Sequence, residues 1–257
     1  MVLVKMITLS ALVATALAEC VIHEVDHVYY NISDLGLAAF DNRVDDVDDL
    51  VAGGCDVNYN GTAKVFVYSY SENDYEYGDY DDSYGEYGDE QVIFGGMTAL
   101  HIAATEGYPD MVAELLDVPG IIVDPTGSFG NTPLFDASPR GYTRIIKLLY
   151  DAGADIDHQT FDWGITPLIQ ACGYGQMSSA KLLIQLGADL DVQDFDYQDT
   201  ALHAVVYFGY PDMAELLVKN GADMEIRNID NMTALEVAVE LEDREMVQIL
   251  RLGEEFY

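Results

Sequence analysis

Basic residues are scarce in this chain. Its 257 residues include 11 lysines and arginines against 46 aspartates and glutamates, which gives a formal net charge of −35 at pH 7. Proteins that bind nucleic acid neutralise phosphates with a basic surface, so we expect no nucleic acid partner and, for the same reason, no anionic membrane surface. The charge favours a basic protein or peptide, or a metal ion, bound less tightly as salt concentration rises. The alternative is that the charge serves only solubility in a salty or crowded medium.

Cysteine and long apolar stretches are also rare. The three cysteines cannot all pair, so disulfides do not define the fold, and Cys20 with Cys55 is the one bridge that we consider. A single apolar run, residues 6–18, follows Lys5 and ends in small residues. This pattern is typical of a secretory signal peptide, and the run is too short for a comfortable membrane span. We expect a cleaved signal and a secreted protein, with an uncleaved signal anchor as the alternative.

What the chain does contain is a box of four residues that recurs. The copies begin at threonines 34, 34, 34 and 33 residues apart, namely Thr98, Thr132, Thr166, Thr200 and Thr233. Threonine can cap a helix, and the proline that follows it in two copies suits the first helical position. An aliphatic pair such as Leu148-Leu149 and a glycine such as Gly153 then fit the apolar stripe and the end of a second helix. The period predicts stacked helix-turn-helix units instead of one globular core.

These residues resemble the ankyrin repeat over residues 33–251, with one interruption. The resemblance implies an all-α repeat solenoid of six helix-turn-helix repeats with projecting β-turn or hairpin fingers. It also implies a non-enzymatic binding module whose protein ligands contact the finger tips and the first helices on the concave side. His101 and His203, at the fourth box position, are expected to form hydrogen bonds within the turns.

The candidate partner-binding residues implied by the resemblance lie on the fingers. They are Phe129, Asn131, Asp162, Trp163, Tyr197, Gln198 and Asp230. Trp163 shares its finger with Phe161, and exposed aromatic residues commonly anchor interfaces. Trp163 is therefore the candidate hot spot, and the alternative is that it packs against the adjacent finger.

The chain divides into five segments on this basis. We assign residues 1–18 to the signal peptide, 19–32 to an acidic N-terminal segment, 33–58 to a degenerate capping repeat, 59–95 to an acidic, tyrosine-rich insert and 96–257 to five repeats with a C-terminal cap. Terminal repeats are expected to be atypical because one face meets water.

The insert is the largest departure from the repeat pattern. Strand-like residues 64–68 and 91–94 flank residues 71–90, which contain no basic residue, so we predict an elongated hairpin with a flexible tip. Tyrosines between carboxylates are candidates for sulfation and for contact with a basic partner. The positions are Tyr75, Tyr77, Tyr80, Tyr84 and Tyr87, with Asp79, Asp81 and Asp82 beside them. The alternatives are a solvated loop without a ligand and loose binding of a divalent cation such as calcium.

One catalytic pattern occurs near the N-terminus. His23 and Glu24, with His27, match H-E-x-x-H, in which two histidines one helical turn apart hold zinc and the glutamate acts as base. A zinc-dependent hydrolase would also need a third ligand and a catalytic domain, whereas repeats account for the rest of the chain. We expect no catalysis and no cofactor. Structural metal binding that includes Cys20 is a further alternative.

Three tripeptides match the acceptor sequence for N-linked glycosylation, at Asn31, Asn60 and Asn231. They matter if the chain enters a eukaryotic secretory route. Asn60 lies beside the acidic insert and is the first to test.

Overall fold

The fold is defined by a computed structural model that describes part of the chain. The backbone is described for residues 20–25, 28–33, 38–39, 41–59, 61–65 and 91–254, and the side chains for residues 38–39, 41–59 and 96–253. The predicted signal peptide and the predicted tip of the insert, residues 71–90, lie outside the described residues.

Pairs of short helices make up residues 99–254. A helix α1 (Val47–Ala52) precedes them, and the pairs are α2 (Ala99–Glu106) with α3 (Pro109–Asp117), α4 (Pro133–Ala137) with α5 (Thr143–Asp151), α6 (Pro167–Gly173) with α7 (Met177–Gln185), α8 (Ala201–Tyr207) with α9 (Pro211–Lys219), and α10 (Ala234–Glu240) with α11 (Arg244–Glu254). Single 3₁₀ turns lie at Val44–Asp46 and Ser138–Arg140.

The pairs stack in two layers. First helices pack on first helices, in the order α2, α4, α6, α8 and α10. In the second layer α3 packs on α5, α5 on α7, and α9 on α11. The all-α repeat solenoid predicted from the sequence is confirmed. The count of six repeats stays a prediction, since the first repeat is described only in part, through the buried pair Ala38 and Ala39 and through α1.

Threonine begins the first helices for the predicted reason. The hydroxyl oxygen of Thr98 accepts a hydrogen bond from the backbone N–H of His101 (3.4 Å), and Thr166 accepts one from Ile169 (3.2 Å). Thr132 and Thr233 cap α4 and α10 in the same way. Each bond satisfies one of the amide groups that a helix start leaves without a partner.

One aliphatic position per unit forms the seam between the layers. Leucines 17 residues after each box threonine are completely buried, namely Leu115, Leu149, Leu183, Leu217 and Leu250. In the first unit this is the first member of the pair Leu115-Leu116, and in the others it is the second member. The sequence pattern therefore identified the pair correctly but not which member is buried, because that depends on which side of the helix meets the neighbouring unit.

Two antiparallel β-ribbons lie before the main stack. Strands β1 (Cys20–Val25) and β2 (Val28–Ser33) form the first, in the segment for which the sequence predicted no strand. Strands β3 (Gly61–Val65) and β4 (Gln91–Met97) form the second, at the base of the insert. β4 contains the predicted run 91–94, whereas β3 begins three residues before the predicted run 64–68. β4 ends directly before Thr98, so the ribbon joins the first helix of the stack.

Candidate functional site

Four loops project between successive helix pairs, and we call them fingers 1 to 4. A backbone hydrogen bond closes each one. The closing bonds join Gly127 N to Asn131 O (2.9 Å), Thr160 N to Ile165 O (3.2 Å), Asp194 N to Asp199 O (3.0 Å) and Asn228 N to Met232 O (3.0 Å). The residue near the end of each finger has a left-handed backbone, and in fingers 3 and 4 these residues are Gln198 (φ 54°) and Asn231 (φ 59°). The fingers therefore share one tight-turn geometry.

Backbone bonds also join each finger to the next. The N–H of Phe161 donates to the carbonyl of Phe129 (3.0 Å), and the N–H of Phe195 donates to that of Trp163 (2.8 Å). Ile229 donates to Tyr197 in the same manner (2.7 Å). These bonds hold the four tips side by side, and we call them together the finger row.

Side-chain amides reinforce the finger row. Gln159 Nε2 donates to the carbonyl of Gly164 in its own finger (2.8 Å) and to that of Gln193 in the next (3.1 Å). Gln193, 34 residues later, repeats the arrangement with Gln198 (2.6 Å) and Arg227 (3.0 Å). The finger row is thus pre-organised, which lowers the entropic cost of binding a ligand.

Large apolar side chains stand exposed along this row. Two columns with a 34-residue spacing contain Phe129, Trp163 and Tyr197 in one, and Phe161, Phe195 and Ile229 in the other. Their exposed fractions run from 52% for Trp163 to 63% for Tyr197. The rings of Phe129 and Trp163 are nearly parallel, 6° apart, with centroids separated by 6.3 Å. Trp163 therefore contacts the adjacent finger and still offers half of its surface to solvent.

A carboxylate lies between the two columns on three of the fingers. Asp162, Asp196 and Asp230 occupy equivalent positions and are exposed. The ion pairs formed among the described side chains do not include them. Each of these tips offers a negative charge next to an apolar side chain.

The two predicted amide contacts have structural duties. Asn131 Nδ2 donates to both carboxylate oxygens of Asp136 (2.9 and 3.1 Å), at the start of α4. Gln198 is exposed, with its carbonyl held by Gln193. Burial raises the pKa of Asp136 to about 7, and the bond from Asn131 opposes that shift. Asn131 thus positions the helix that follows finger 1.

The box histidines join a first helix to the finger of the next unit. His101 Nδ1 accepts from Thr98 N–H (3.1 Å), and its Nε2 donates to the carbonyl of Asn131 (3.1 Å). His203 makes the equivalent bonds to Thr200 and Met232. Burial lowers the pKa of His101 to about 4 and also lowers that of His203. The predicted hydrogen bonding of these histidines is confirmed.

Aspartates tie the closing loops of the units together. Asp124 Oδ2 accepts from Asp155 N–H (2.8 Å), Asp157 Oδ1 from Asp189 N–H (2.9 Å), and Asp191 Oδ1 from Asp223 N–H (2.8 Å). Burial raises the pKa of Asp124, Asp157 and Asp191. These carboxylates stabilise the stack, so the density of acidic residues in the loops has a structural explanation.

Several candidate residues are not located by the structure. Those outside the described residues are Tyr75, Tyr77, Asp79, Tyr80, Asp81, Asp82, Tyr84, Tyr87, Asn60 and His27. His23 and Glu24 lie in strand β1, so the helical spacing on which the zinc motif depends is not present there. Asn31 lies in strand β2, and Asn231 is exposed on finger 4.

The sequence analysis missed part of the finger row. Phe195, Ile229 and Asp196 were not among the candidate contacts, and the bridging Gln159 and Gln193 were not singled out. All five recur at the 34-residue period of residues that were considered. An alignment of the fingers position by position would have found them.

Stacked two-helix units with a row of fingers define a repeat solenoid with an open binding surface. A family model described as "Ankyrin repeats (3 copies)" matches residues 35–160 and 168–256, and the chain belongs to the ankyrin repeat family. Ankyrin repeats generally mediate protein–protein interaction and are typically not enzymes. A search of curated proteins found no match to the chain. Among the described residues, no helix has the length and apolar character that a membrane span requires.

Proposed function

We propose that this protein is a non-enzymatic binding module that holds a basic protein or peptide on its finger row. The observation that carries the proposal is the ordered display of Phe161, Trp163, Phe195 and Tyr197 with Asp162 and Asp196 between them. Surface apolar residues normally occur singly, and contiguous ones mark interaction sites. Aromatic residues supply most hot spots, and complementary charge supplies specificity and association rate.

Selection from a random peptide library tests this proposal. We expect the protein to enrich peptides rich in arginine and lysine, eluted by raising the salt concentration. The double variant Trp163→Ala, Tyr197→Ala should lose the enrichment. Tyr174→Ala is the matched control, because Tyr174 is as exposed as Tyr197 (62%) but follows the end of α6, away from the fingers. Enrichment of neutral or acidic peptides, or equal enrichment by both variants, would refute the proposal.

We propose that the tyrosine-rich tip of the insert adds a second contact for the same partner. Residues 71–90 combine carboxylates with tyrosines and contain no positive charge, and such a segment suits a basic surface. Deleting residues 71–90 should weaken capture of the selected basic peptides in proportion to salt. Calcium binding is the alternative function of the tip. Calorimetry on the full chain and on the deletion variant separates the two, because only the alternative predicts a calcium signal that disappears with the tip.

We further propose that the protein is secreted. Lys5 followed by the apolar residues 6–18 supports a signal peptide. Expression in a secreting eukaryotic host followed by mass spectrometry of the medium tests this: the mature chain should begin near residue 19 and carry sulfate on the insert tyrosines. A protein retained in the cell with Met1 intact would contradict secretion without affecting the binding proposal.

A further inference from the structure

We infer that the finger row recognises an extended segment in a left-handed polyproline conformation, with arginines at every third residue, lying along the axis of the solenoid. The inference rests on the proposed function and specifies its partner. Three properties of the row carry it: the spacing of the fingers, the composition of each tip and the order of the tips.

The spacing of the fingers follows from their hydrogen bonds. Each finger is a closed turn of two chain segments, and adjacent fingers are joined edge to edge, as in the bond from Phe161 N to Phe129 O (3.0 Å). Hydrogen-bonded segments lie about 4.8 Å apart, so one finger and its junction span about 10 Å. Packed helices lie about 8–10 Å apart, which agrees with this repeat.

A partner must present equivalent side chains at the same interval. A β-strand returns to the same face about every 6.6 Å, which falls out of step with the fingers after one repeat. A polyproline II segment has three residues per turn with a rise of about 3.1 Å each, so one face recurs about every 9.3 Å. Every third side chain of such a segment can therefore meet successive fingers.

The composition of the tips selects arginine over lysine. Finger 2 presents Phe161-Asp162-Trp163 and finger 3 presents Phe195-Asp196-Tyr197, so each offers aromatic surface on both sides of one carboxylate. A planar guanidinium can stack on an aromatic face while it donates to a carboxylate, whereas an ammonium lacks the planar surface. Two equivalent tips side by side therefore suit two arginines separated by two residues.

The outer fingers are incomplete versions of the same tip. Finger 1 has Phe129 but Ser128 where fingers 2 and 3 have aspartate, and finger 4 has Asp230 between Ile229 and Asn231. A third arginine should thus add less affinity than the second one did. The strongest part of the site is centred between Asp162 and Asp196.

The single tryptophan of the chain provides a local probe of this site. Trp163 stands on finger 2 and is 52% exposed, so its fluorescence reports binding at the finger row. Synthetic proline-rich peptides of one composition, with three arginines spaced two, three or four residues apart, are titrated against the full-length protein. Anisotropy of a label on each peptide measures total binding independently of Trp163.

We expect the three-residue spacing to bind about tenfold more tightly than the other two and to give the largest change in Trp163 emission. Replacing its arginines by lysines should lower the affinity severalfold. Asp162→Asn with Asp196→Asn should abolish the preference for spacing. The control Asp48→Asn with Asp212→Asn removes the same charge from α1 and α9 and should keep it.

Other results would overturn the inference. Equal affinity at all spacings, measured with a change at Trp163, would leave the proposed function intact and remove the partner geometry. Tightest binding by a helical peptide with arginines seven residues apart would replace the extended partner by a helix, whose face recurs about every 10.5 Å. Binding seen by anisotropy without a change at Trp163 would place the basic ligand elsewhere, and no binding of any peptide would refute both proposals.

Discussion

The box histidine shows how one residue links two repeats. His101 must carry its proton on Nε2, because that atom faces a carbonyl oxygen, while Nδ1 accepts from the backbone N–H of Thr98. A second proton on Nδ1 would break the latter bond inside a fully buried site. The pKa lowered to about 4 expresses that cost.

Acid should therefore weaken the fold through His101. Between its ordinary pKa of about 6.5 and the folded value of about 4, the unfolded chain binds the proton and the folded chain does not. This contribution is complete above about pH 6.5 and falls by about 3 kcal/mol as the pH drops to about 4. Urea unfolding of His101→Gln from pH 4 to 7 should show a smaller loss of stability than the parent protein.

The comparison with the parent is needed because Asp136 acts in the opposite sense. Its pKa is raised to about 7, so its contribution to stability is lost as the pH rises through that value. Identical pH profiles for His101→Gln and the parent would contradict the role assigned to His101.

Ser179 is the polar exception in a buried column. The equivalent positions hold Met111, Ile145 and Met213, whereas the Ser179 hydroxyl is buried without a hydrogen-bond partner among the described atoms. A buried hydroxyl without a partner costs about 1–3 kcal/mol. Ser179→Ala should therefore raise the unfolding free energy by about 1 kcal/mol, measured by urea denaturation. A loss of stability would mean that the hydroxyl is satisfied in solution.

At the scale of the element, the turn between two helices depends on glycine. Gly107 ends α2 with φ 82°, and a Cβ there would lie 2.6 Å from the ring of Tyr142 in the next unit. Gly153 also has a positive φ (100°), but a Cβ there would meet no atom within 4 Å. The two glycines separate backbone strain from crowding.

We expect Gly153→Ala to cost about 1–2 kcal/mol from the left-handed backbone alone. Gly107→Ala should cost about 1–3 kcal/mol more because it also displaces the Tyr142 ring. Thermal or urea unfolding of both variants measures the difference. Combining Gly107→Ala with Tyr142→Leu should recover part of the additional loss, and the absence of such coupling would show that crowding does not operate.

At the scale of the whole molecule, net charge acts on folding and on binding in opposite directions. A formal charge of −35 makes the folded chain repel itself, and added salt screens that repulsion. Raising sodium chloride from about 20 to 300 mM should increase the Tm of the protein alone, while it weakens binding of the basic peptides. Calorimetric melts and fluorescence titrations over one salt series test both effects. A Tm that fell with salt would contradict the first.

Much of the fold could be predicted because its causes are local and recur. Capping by Thr98, Thr132 and Thr166 and the aliphatic pairs depend on the residues of one unit, and each new copy repeats the same pattern. The ribbon of β1 and β2 was not predicted, because residues 19–32 occur once and have no second copy for comparison.

The sequence by itself determined the repeat, the class of fold, the capping threonines and the excess of negative charge. Only the tertiary structure decided that Phe161 N–H bonds to Phe129, that Gln159 reaches Gln193 and that Trp163 lies parallel to Phe129. These contacts join residues about one repeat apart in the chain. Their distances depend on how closely the helices of neighbouring units pack and on the angle at which each finger leaves them, and no single unit contains that information.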